Sequence, residues 1–395
     1  MLLTNDFTYM KNAFWKVNEK KFNNKFDALL EATRLKANVT FHYYDNIFES
    51  VNKSLLGKQD LNNLYRLRAQ QLRDEYDYLI LYFSGGSDSY NILKTFLDNN
   101  IKLDEICVKW PMVVIDKQLY TPNTKDKSAF NYLSEWDYAI KPVLDEIKIS
   151  HPEIKIEIAD WSNFNFNDYN EKNFRLANSW NDVEIGYTLS KSKSELIYSE
   201  KGKSVASIYG IDKPIICLLN GNWMCSFVDA SIGVGAPQDH SQNSIEYFYW
   251  SPKLPMLPLE QAYSLCNHID NNPQIKKFFY NESYTSWNQN QRNMAIQMQN
   301  DIIKSVIYST WNHKFQTNKP VMADRTDKHS WIFAHPELLK NREEFIDFNS
   351  LFLSQIDERF IIKEEKGYQV KGKKRGLFDF CRTKWHFVKK ELAFS

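Results

Sequence analysis

The sequence predicts an α/β fold: a parallel, twisted sheet of about five strands flanked by helices, followed by a mainly helical C-terminal region. Three observations predict it. Residues 78–83 (YLILYF) run apolar without alternation, as in a central parallel strand covered on both faces. A short polar turn, SGGSDS at 84–89, then leads into an amphipathic helix and a second strand, a β-loop-α-β unit whose crossover is expected to be right-handed. Beyond Leu259 strand signals thin out and helical spacing takes over. The chain accordingly divides into an N-terminal extension (1–60), an α/β domain (61–255) and a mainly helical C-terminal region with a basic tail (256–395).

Each element follows from local pattern. Residues 1–60 are mixed, with a helical stretch around Phe22–Thr33. Leu61–Tyr76 is a helix, because Leu61, Leu64, Tyr65, Leu72 and Tyr76 fall near one face. The Tyr78–Phe83 strand follows at once. Ser89–Asn99 carries Ile92, Leu93, Phe96 and Leu97 at helical spacing, and Asn99-Asn100 supplies a stop. Ile101–Lys109 is the second strand. Lys127–Ile149 reads as a long helix kinked at Pro142. Ile154–Ala159 alternates as a third strand, and Phe174–Ser199 reads as mainly helical. Ser204–Tyr209 and Ile215–Leu219 are strands separated by GIDKP. Leu259–Tyr280 and Gln291–Trp311 are helices, and Phe360–Val370 suggests a hairpin about Lys366-Gly367.

Composition narrows the function classes. The 395 residues carry a net charge of +1, so no global field favours nucleic acid or membrane. Aromatic residues make up 15%, which points to a core built on Phe, Tyr and Trp. No segment is apolar and long enough to cross a bilayer, and the opening MLLTNDFTYMKNAF lacks the order of a signal peptide. The five cysteines are widely spaced and form no CxxC, which argues against a disulfide framework and for a cytoplasmic address. The eight histidines form no HxxxH or HExxH, so no metal beyond magnesium is expected.

The turn at 84–89 carries the chemistry. A strand, a glycine turn and a helix place backbone N–H groups around a concavity, and the helix N-terminus adds partial positive charge. Glycine lets a ligand approach bare backbone, and serine hydroxyls add donors. Ser84, Gly85, Gly86, Ser87, Asp88 and Ser89 therefore read as a phosphate cradle. Asp88 can cap the helix, position a serine or hold magnesium. The loop is neither a GxxxxGK[ST] nor a GxGxxG sequence, and a plain strand-to-helix turn is the competing reading.

On these residues the chain resembles the PP-loop ATP pyrophosphatases, the adenine nucleotide alpha hydrolase-like superfamily, whose loop is SGGxDS. The resemblance covers about residues 60–235, and the surrounding YRLRAQQLRDEYDYLILYFSGGSDS is similar to phage-encoded members. Tyr90 departs from the Ser or Thr that many members carry next. The resemblance implies a HUP-like fold and an enzyme that binds ATP with Mg2+. Such an enzyme transfers AMP to a carboxyl or carbonyl oxygen, releases pyrophosphate, and lets a nucleophile displace AMP. It also implies that Val108 and Lys109, at the end of the second strand, meet the adenine.

Other candidates surround the loop. Asp212 and Lys213, after the strand ending at Tyr209, would lie at the carboxyl edge of the sheet, where open α/β sheets bind ligands. Lys213 would neutralise phosphate, and Asp212 would bind magnesium or orient Lys213; the competing reading is a surface turn with an adjacent ion pair. Asp160-Trp161 is a weaker edge candidate. Asn220–Asp229 reads equally as a pocket lining or as a strand pair with a turn. Cys107 reads as a small buried residue. The tail, with Lys371, Lys373, Lys374, Arg375, Arg382, Lys384, Lys389 and Lys390 among Phe378, Phe380 and Trp385, is a candidate nucleic-acid contact, although a solvated face is the plainer reading.

Three functions compete. The first is an adenylating enzyme acting on an unidentified acceptor with a nitrogen nucleophile. The second is a nucleotide-binding module without catalysis. The third is a nucleic-acid-modifying enzyme that uses the basic tail. The absence of a cysteine pair disfavours sulfur transfer. The chain begins Met1-Leu2, without the cysteine at position two of a glutaminase domain, so nitrogen would come from ammonia, an amine or a partner subunit.

Overall fold

The computed structural model describes residues 13–117, 135–162, 190–210, 214–229, 243–276, 302–310, 347, 351–363, 376–378 and 383–392. Its centre is a five-stranded, all-parallel sheet. The strands are β4 (Tyr78–Tyr82), β5 (Glu105–Trp110), β6 (Lys155–Asp160), β7 (Val205–Tyr209) and β10 (Asn243–Tyr247), in the order β10-β7-β4-β5-β6. The order reverses direction at β4: the chain moves from β4 outward to β5 and β6, then returns to add β7 and β10 on the other side. All residues of β4, β5 and β7 are buried; β4 is apolar or aromatic throughout, while Glu105 and Lys109 of β5 and Ser207 of β7 are polar side chains inside the core.

Helices close both faces. Helix α3 (Leu61–Glu75), capped by the Asp60 side chain on Asn63 N–H, and α4 (Ser87–Asp98) lie against each other and against β4. Tyr78 and Tyr82, on alternate positions of β4, meet the helix Lys193–Glu200. Tyr78 stacks on Tyr198 at 4.0 Å, and the Tyr82 hydroxyl donates to Glu195. This face is polar for a core: Ser207 donates to Glu195 at 2.7 Å, Tyr78 donates to Glu105 at 3.0 Å, and Lys155 pairs with Glu105 at 3.2 Å. Buried carboxylates are tolerable here because each is met by donors.

The two outer spans join the same core. Strands β1 (Ala13–Val17), β2 (Lys20–Phe22) and β3 (Thr40–Tyr43) form an antiparallel sheet in the order β2-β1-β3, with α1 (Lys25–Leu35) after β2 and the short α2 (Asp45–Ser50) after β3. The expected helical stretch around Phe22–Thr33 thus starts later, because Phe22 pairs with Trp15. Trp15 donates to Asp229 at 2.8 Å and Lys25 pairs with Asp229 at 2.9 Å, both inside the core. One apolar cluster includes Trp15 and Phe41, Leu79 and Ile208, and Leu257, Leu265 and Ile307.

Other expectations shift. Of the expected helix Lys127–Ile149, residues 127–134 lie outside the described residues; after α5 (Met112–Asp116), the described part runs from 135 to Ser150 with Pro142 inside it. Pro142 stands in the first turn of α6 (Lys141–Ser150), directly after a π-helical turn at Trp136–Ile140, so the irregular hydrogen bonding falls at the junction where the proline has no N–H to offer. Asn220–Asp229 is a strand pair: Asn220 (φ 50°) and Gly221 (φ 72°) turn β8 (Ile215–Leu219) into β9 (Asn222–Ser226), both central residues taking the positive φ of a type I′ turn. Ile361–Lys363 pairs with Gly376–Phe378 rather than closing a hairpin at Lys366-Gly367. In the C-terminal span, Met256–Asp270 is a helix, as are residues 302–307, and His386–Lys390 is a strand paired antiparallel with β9. Much of the rest of that span lies outside the described residues. No helix among the described residues is long and apolar enough to cross a membrane.

Glu260, on the helix Met256–Asp270, is 1% exposed and takes the Gly57 N–H on both oxygens at 2.9 and 3.0 Å. Burial pushes its carboxyl up to about 7, partly opposed by the Gly57 N–H. A folded-state value above the unfolded one contributes stability that is present below pH 4.5 and lost as pH rises through 7. Glu260→Gln keeps an acceptor for Gly57 and removes the charge. The variant is expected to gain about 1–3 kcal/mol over the native chain at pH 8 relative to pH 5, read by urea titration at both pH values.

Candidate functional site

The loop at 84–86 leaves β4 at the point where the strand order reverses, which is where open α/β sheets form their crevice. Gly85 has φ +72°, and a Cβ there would lie 2.8 Å from Ile140 Cγ1 and 3.1 Å from Ala139 Cβ. Packing against the π-helical turn therefore demands glycine at 85 whatever binds. Gly86 is different. As N-cap of α4 it has φ −80° and ψ 164°, open to any residue, and α4 has no side-chain cap bond. Glycine here leaves the amides of the first turn uncovered by a capping side chain.

The serines tie the loop to itself. Ser89 Oγ receives the Ser84 N–H at 3.2 Å, stands 3.3 Å from Ser84 Oγ and donates to Gly86 C=O at 3.2 Å, while Gly86 N–H donates to Ser84 Oγ at 3.4 Å. Ser87 and Ser89 are buried, and Ser84 and Asp88 are half-buried. These bonds within the loop hold its shape, which limits the ordering cost of binding.

Two tyrosines fix Asp88. The Tyr308 hydroxyl donates to Asp88 Oδ1, and the Tyr249 hydroxyl donates to the Asp88 carbonyl at 2.8 Å. Asn91, one turn along α4, donates to the Tyr249 hydroxyl at 3.2 Å and accepts from Thr310 at 3.0 Å. Burial first, and the Asp88 charge second, hold the Tyr308 phenol well above its ordinary value, so it stays a donor. Gly210 closes the other flank: a Cβ there would sit 3.0 Å from Ser89 N and 3.1 Å from the Asp88 carbonyl carbon. Its role is close approach of the end of β7 to the first turn of α4.

The remaining candidates are placed as follows. β5 continues through Val108, Lys109 and Trp110 past Cys107, its last residue paired with β4, so the 108–110 backbone extends toward the loop. The Val108 side chain is fully buried. Lys109 is also buried, with Nζ 4.9 Å from the Tyr82 ring and 5.4 Å from the Tyr209 ring, which stack on each other at 4.5 Å. Its side chain thus lies on the Glu195 face of the sheet. Cys107 is fully buried and burial raises its thiol, which suits a packing residue. Asp212 and Lys213 lie outside the described residues. Asp160 accepts from Met112 N–H at 2.9 Å and Ser162 N–H at 3.0 Å, holding the turn after β6.

The basic tail is partly a folded strand. Lys384 pairs with Glu49, Lys389 pairs with Asp270 at 2.8 Å, and Val388 is buried between them in the fold. Lys371, Lys373, Lys374, Arg375, Phe380 and Arg382 lie outside the described residues.

A carboxylate in the first turn of α4 would repel a phosphate bound at the same amides. A cation between them would remove the conflict, and Asp88 is the one carboxylate of that turn that could hold it. Among the described residues, no group of three or more His, Cys, Asp or Glu is arranged to hold a metal ion. Magnesium suits such a place, since it is held by one or two carboxylates and completes its shell with phosphate oxygens and water. Asp88, Tyr249, Tyr308 and Gly210 thus converge on one helix turn from four separate parts of the chain. Comparisons with protein-family models, with curated proteins and with solved structures return no match for this chain.

Proposed function

We propose that the protein binds ATP with Mg2+ at the Ser84–Ser89 loop and is an adenylating enzyme that releases pyrophosphate. The observation that carries this reading is the placement of an uncapped helix N-terminus, with its own aspartate, at the reversal point of a five-stranded parallel sheet. The first-turn amides and serine hydroxyls would receive the β and γ phosphates. Asp88 would hold Mg2+, which neutralises phosphate charge when bound. The 108–110 backbone beyond the β4 ladder supports a place for the adenine. An oxygen of the acceptor's carboxyl or carbonyl group attacks the α-phosphorus. The bond from the α-phosphorus to the bridging oxygen breaks, and pyrophosphate leaves with the electron pair. A nitrogen nucleophile then attacks the activated carbon and gives up a proton to solvent, and the carbon–oxygen bond breaks so that AMP leaves with the electron pair. The chain's own contribution is positioning and charge placement.

The test is product analysis. The pure protein, ATP and Mg2+ are incubated with pools of carboxylic acids, nucleosides and RNA, with ammonia as the nucleophile. AMP and pyrophosphate in equal amounts are expected from one pool. ADP and phosphate would sink the adenylation reading. Tight ATP binding without turnover in any pool would favour the non-catalytic module instead. Among the described residues of the tail, Lys384 and Lys389 have carboxylate partners and Lys390 is an exposed lysine, an ordinary solvated face that does not favour the nucleic-acid reading.

A further inference from the structure

We infer that Tyr308 is a positioning residue of the nucleotide site, holding the Asp88 carboxylate in the orientation that receives Mg·ATP; residues 302–310 are therefore part of that site. This rests on the nucleotide reading of the loop. The segment comes 220 residues after Asp88, yet it is fastened at four points around the first turns of α3 and α4. Tyr308 donates to Asp88, Thr310 donates to Asn91 at 3.0 Å, Ser309 donates to Asn62 at 2.7 Å, and the Ile307 carbonyl accepts from Tyr65 at 2.6 Å. The rings of Tyr65, Tyr249 and Tyr308 pack mutually, with centroids 5.6 to 6.3 Å apart. Tyr308 is 1% exposed, so its hydroxyl has little freedom to turn elsewhere.

A bond to one carboxylate oxygen narrows the range of orientations the whole group samples. Asp88 is half-buried in the first turn of α4, and the Tyr308 hydroxyl meets it from a segment 220 residues away. Holding it in advance lowers the cost of ordering on binding. Simple core packing would need only the Tyr308 ring. The hydroxyl is the part whose loss should be felt by the ligand.

Tyr308→Phe keeps the ring and removes the donor. Calorimetric titration with ATP, in Mg2+ and in EDTA, is made on the native chain, Tyr308→Phe, Asp88→Ala and the double variant. Tyr308→Phe should weaken Mg·ATP by about tenfold, or ~1.4 kcal/mol. It should leave metal-free ATP within about twofold, and should have no further effect in the Asp88→Ala background. Hydrogen exchange without nucleotide gives a second reading: the amides of 84–89 should exchange faster in Tyr308→Phe while Tm moves by only a few degrees. Equal Mg·ATP affinity with equal exchange overturns the inference, and so does a loss that persists in the Asp88→Ala background. If the native chain binds no ATP, the nucleotide reading fails, and the exchange measurement alone decides whether Tyr308 holds the loop.

Discussion

Asp88→Asn is expected to fold like the native chain and to lose AMP and pyrophosphate formation by a factor on the order of 10²–10³, the loss typical when one preorganised electrostatic group is removed from a site. Asparagine keeps an oxygen for the Tyr308 hydroxyl, so the contact that anchors the side chain survives. What disappears is the charge. The helix dipole favours an acid in the first turn by only about 0.3–1 kcal/mol, so the fold should hardly notice. The ligand should notice in two opposite ways. With Mg2+ present, Asp88→Asn loses a metal-binding carboxylate and should bind ATP more weakly. In EDTA it loses a repulsion between carboxylate and phosphate and should bind ATP at least as tightly as the native chain. That reversal of sign is the informative result. A capping or packing role for Asp88 has no reason to change sign with the metal, and turnover within threefold of native would remove Asp88 from the reaction.

The parts of the fold that could be read from the sequence are those where one periodicity settles the environment. Leu61–Glu75, Tyr78–Tyr82, Ser87–Asp98 and Glu105–Trp110 appear close to where the apolar spacing puts them, because each is buried by a single helix face or on both strand faces. The edge strand Asn243–Tyr247 escaped notice. Ser244 and Glu246 alternate with Ile245 and Tyr247, but Glu246 is buried through its pairing with Arg68 while Ile245 is only half-buried, so five residues of alternation do not report the environment. The first sheet escaped for a similar reason: three of its residues, Lys20–Phe22, make a whole strand.

The site divides in the same way. The strand-turn-helix at 84–89, on which the phosphate-cradle reading rests, is local and legible. The residues that hold it are not, because Tyr249 and Tyr308 lie 161 and 220 positions away and carry no local mark of their partner. Gly210 shows the limit from the other side. A glycine after a strand suggests a sharp turn, but what requires it here is the first turn of α4 packed against it. Only the topology, which brings β7 beside β4, makes that contact.

Arg68→Met is expected to cost about 3–5 kcal/mol of folding stability, the range for breaking a buried ion pair from one side. Arg68 is fully buried on α3, bonded to Glu246 through Nη2 and to the Phe248 carbonyl through Nε at 3.3 Å. Glu246 also accepts from Tyr76 and lies 3.6 Å from Lys253 Nζ. Burial pushes its carboxyl up, but Arg68, Tyr76 and Lys253 together outweigh burial and hold it below the ordinary 4.5. A depressed folded-state value means stability that is present above pH 4.5 and lost as pH falls through the folded value. The gap between native and Arg68→Met should therefore narrow in acid, where the stranded carboxyl protonates. Denaturant titrations at pH 7 and pH 4 check this, and a gap that widens in acid would count against the ion pair. Adding Glu246→Gln should recover much of the loss, since glutamine still accepts from Tyr76 and leaves no buried charge. A domain's whole stability is about 5–15 kcal/mol, so the single variant stands near the edge of folding. Glu246 is on β10, and Tyr249 follows it by three residues and bonds the Asp88 carbonyl. The ion pair that pins this edge strand to α3 therefore also sets where one of the two tyrosines meets the cradle. In the double variant, stability and ATP affinity should return together.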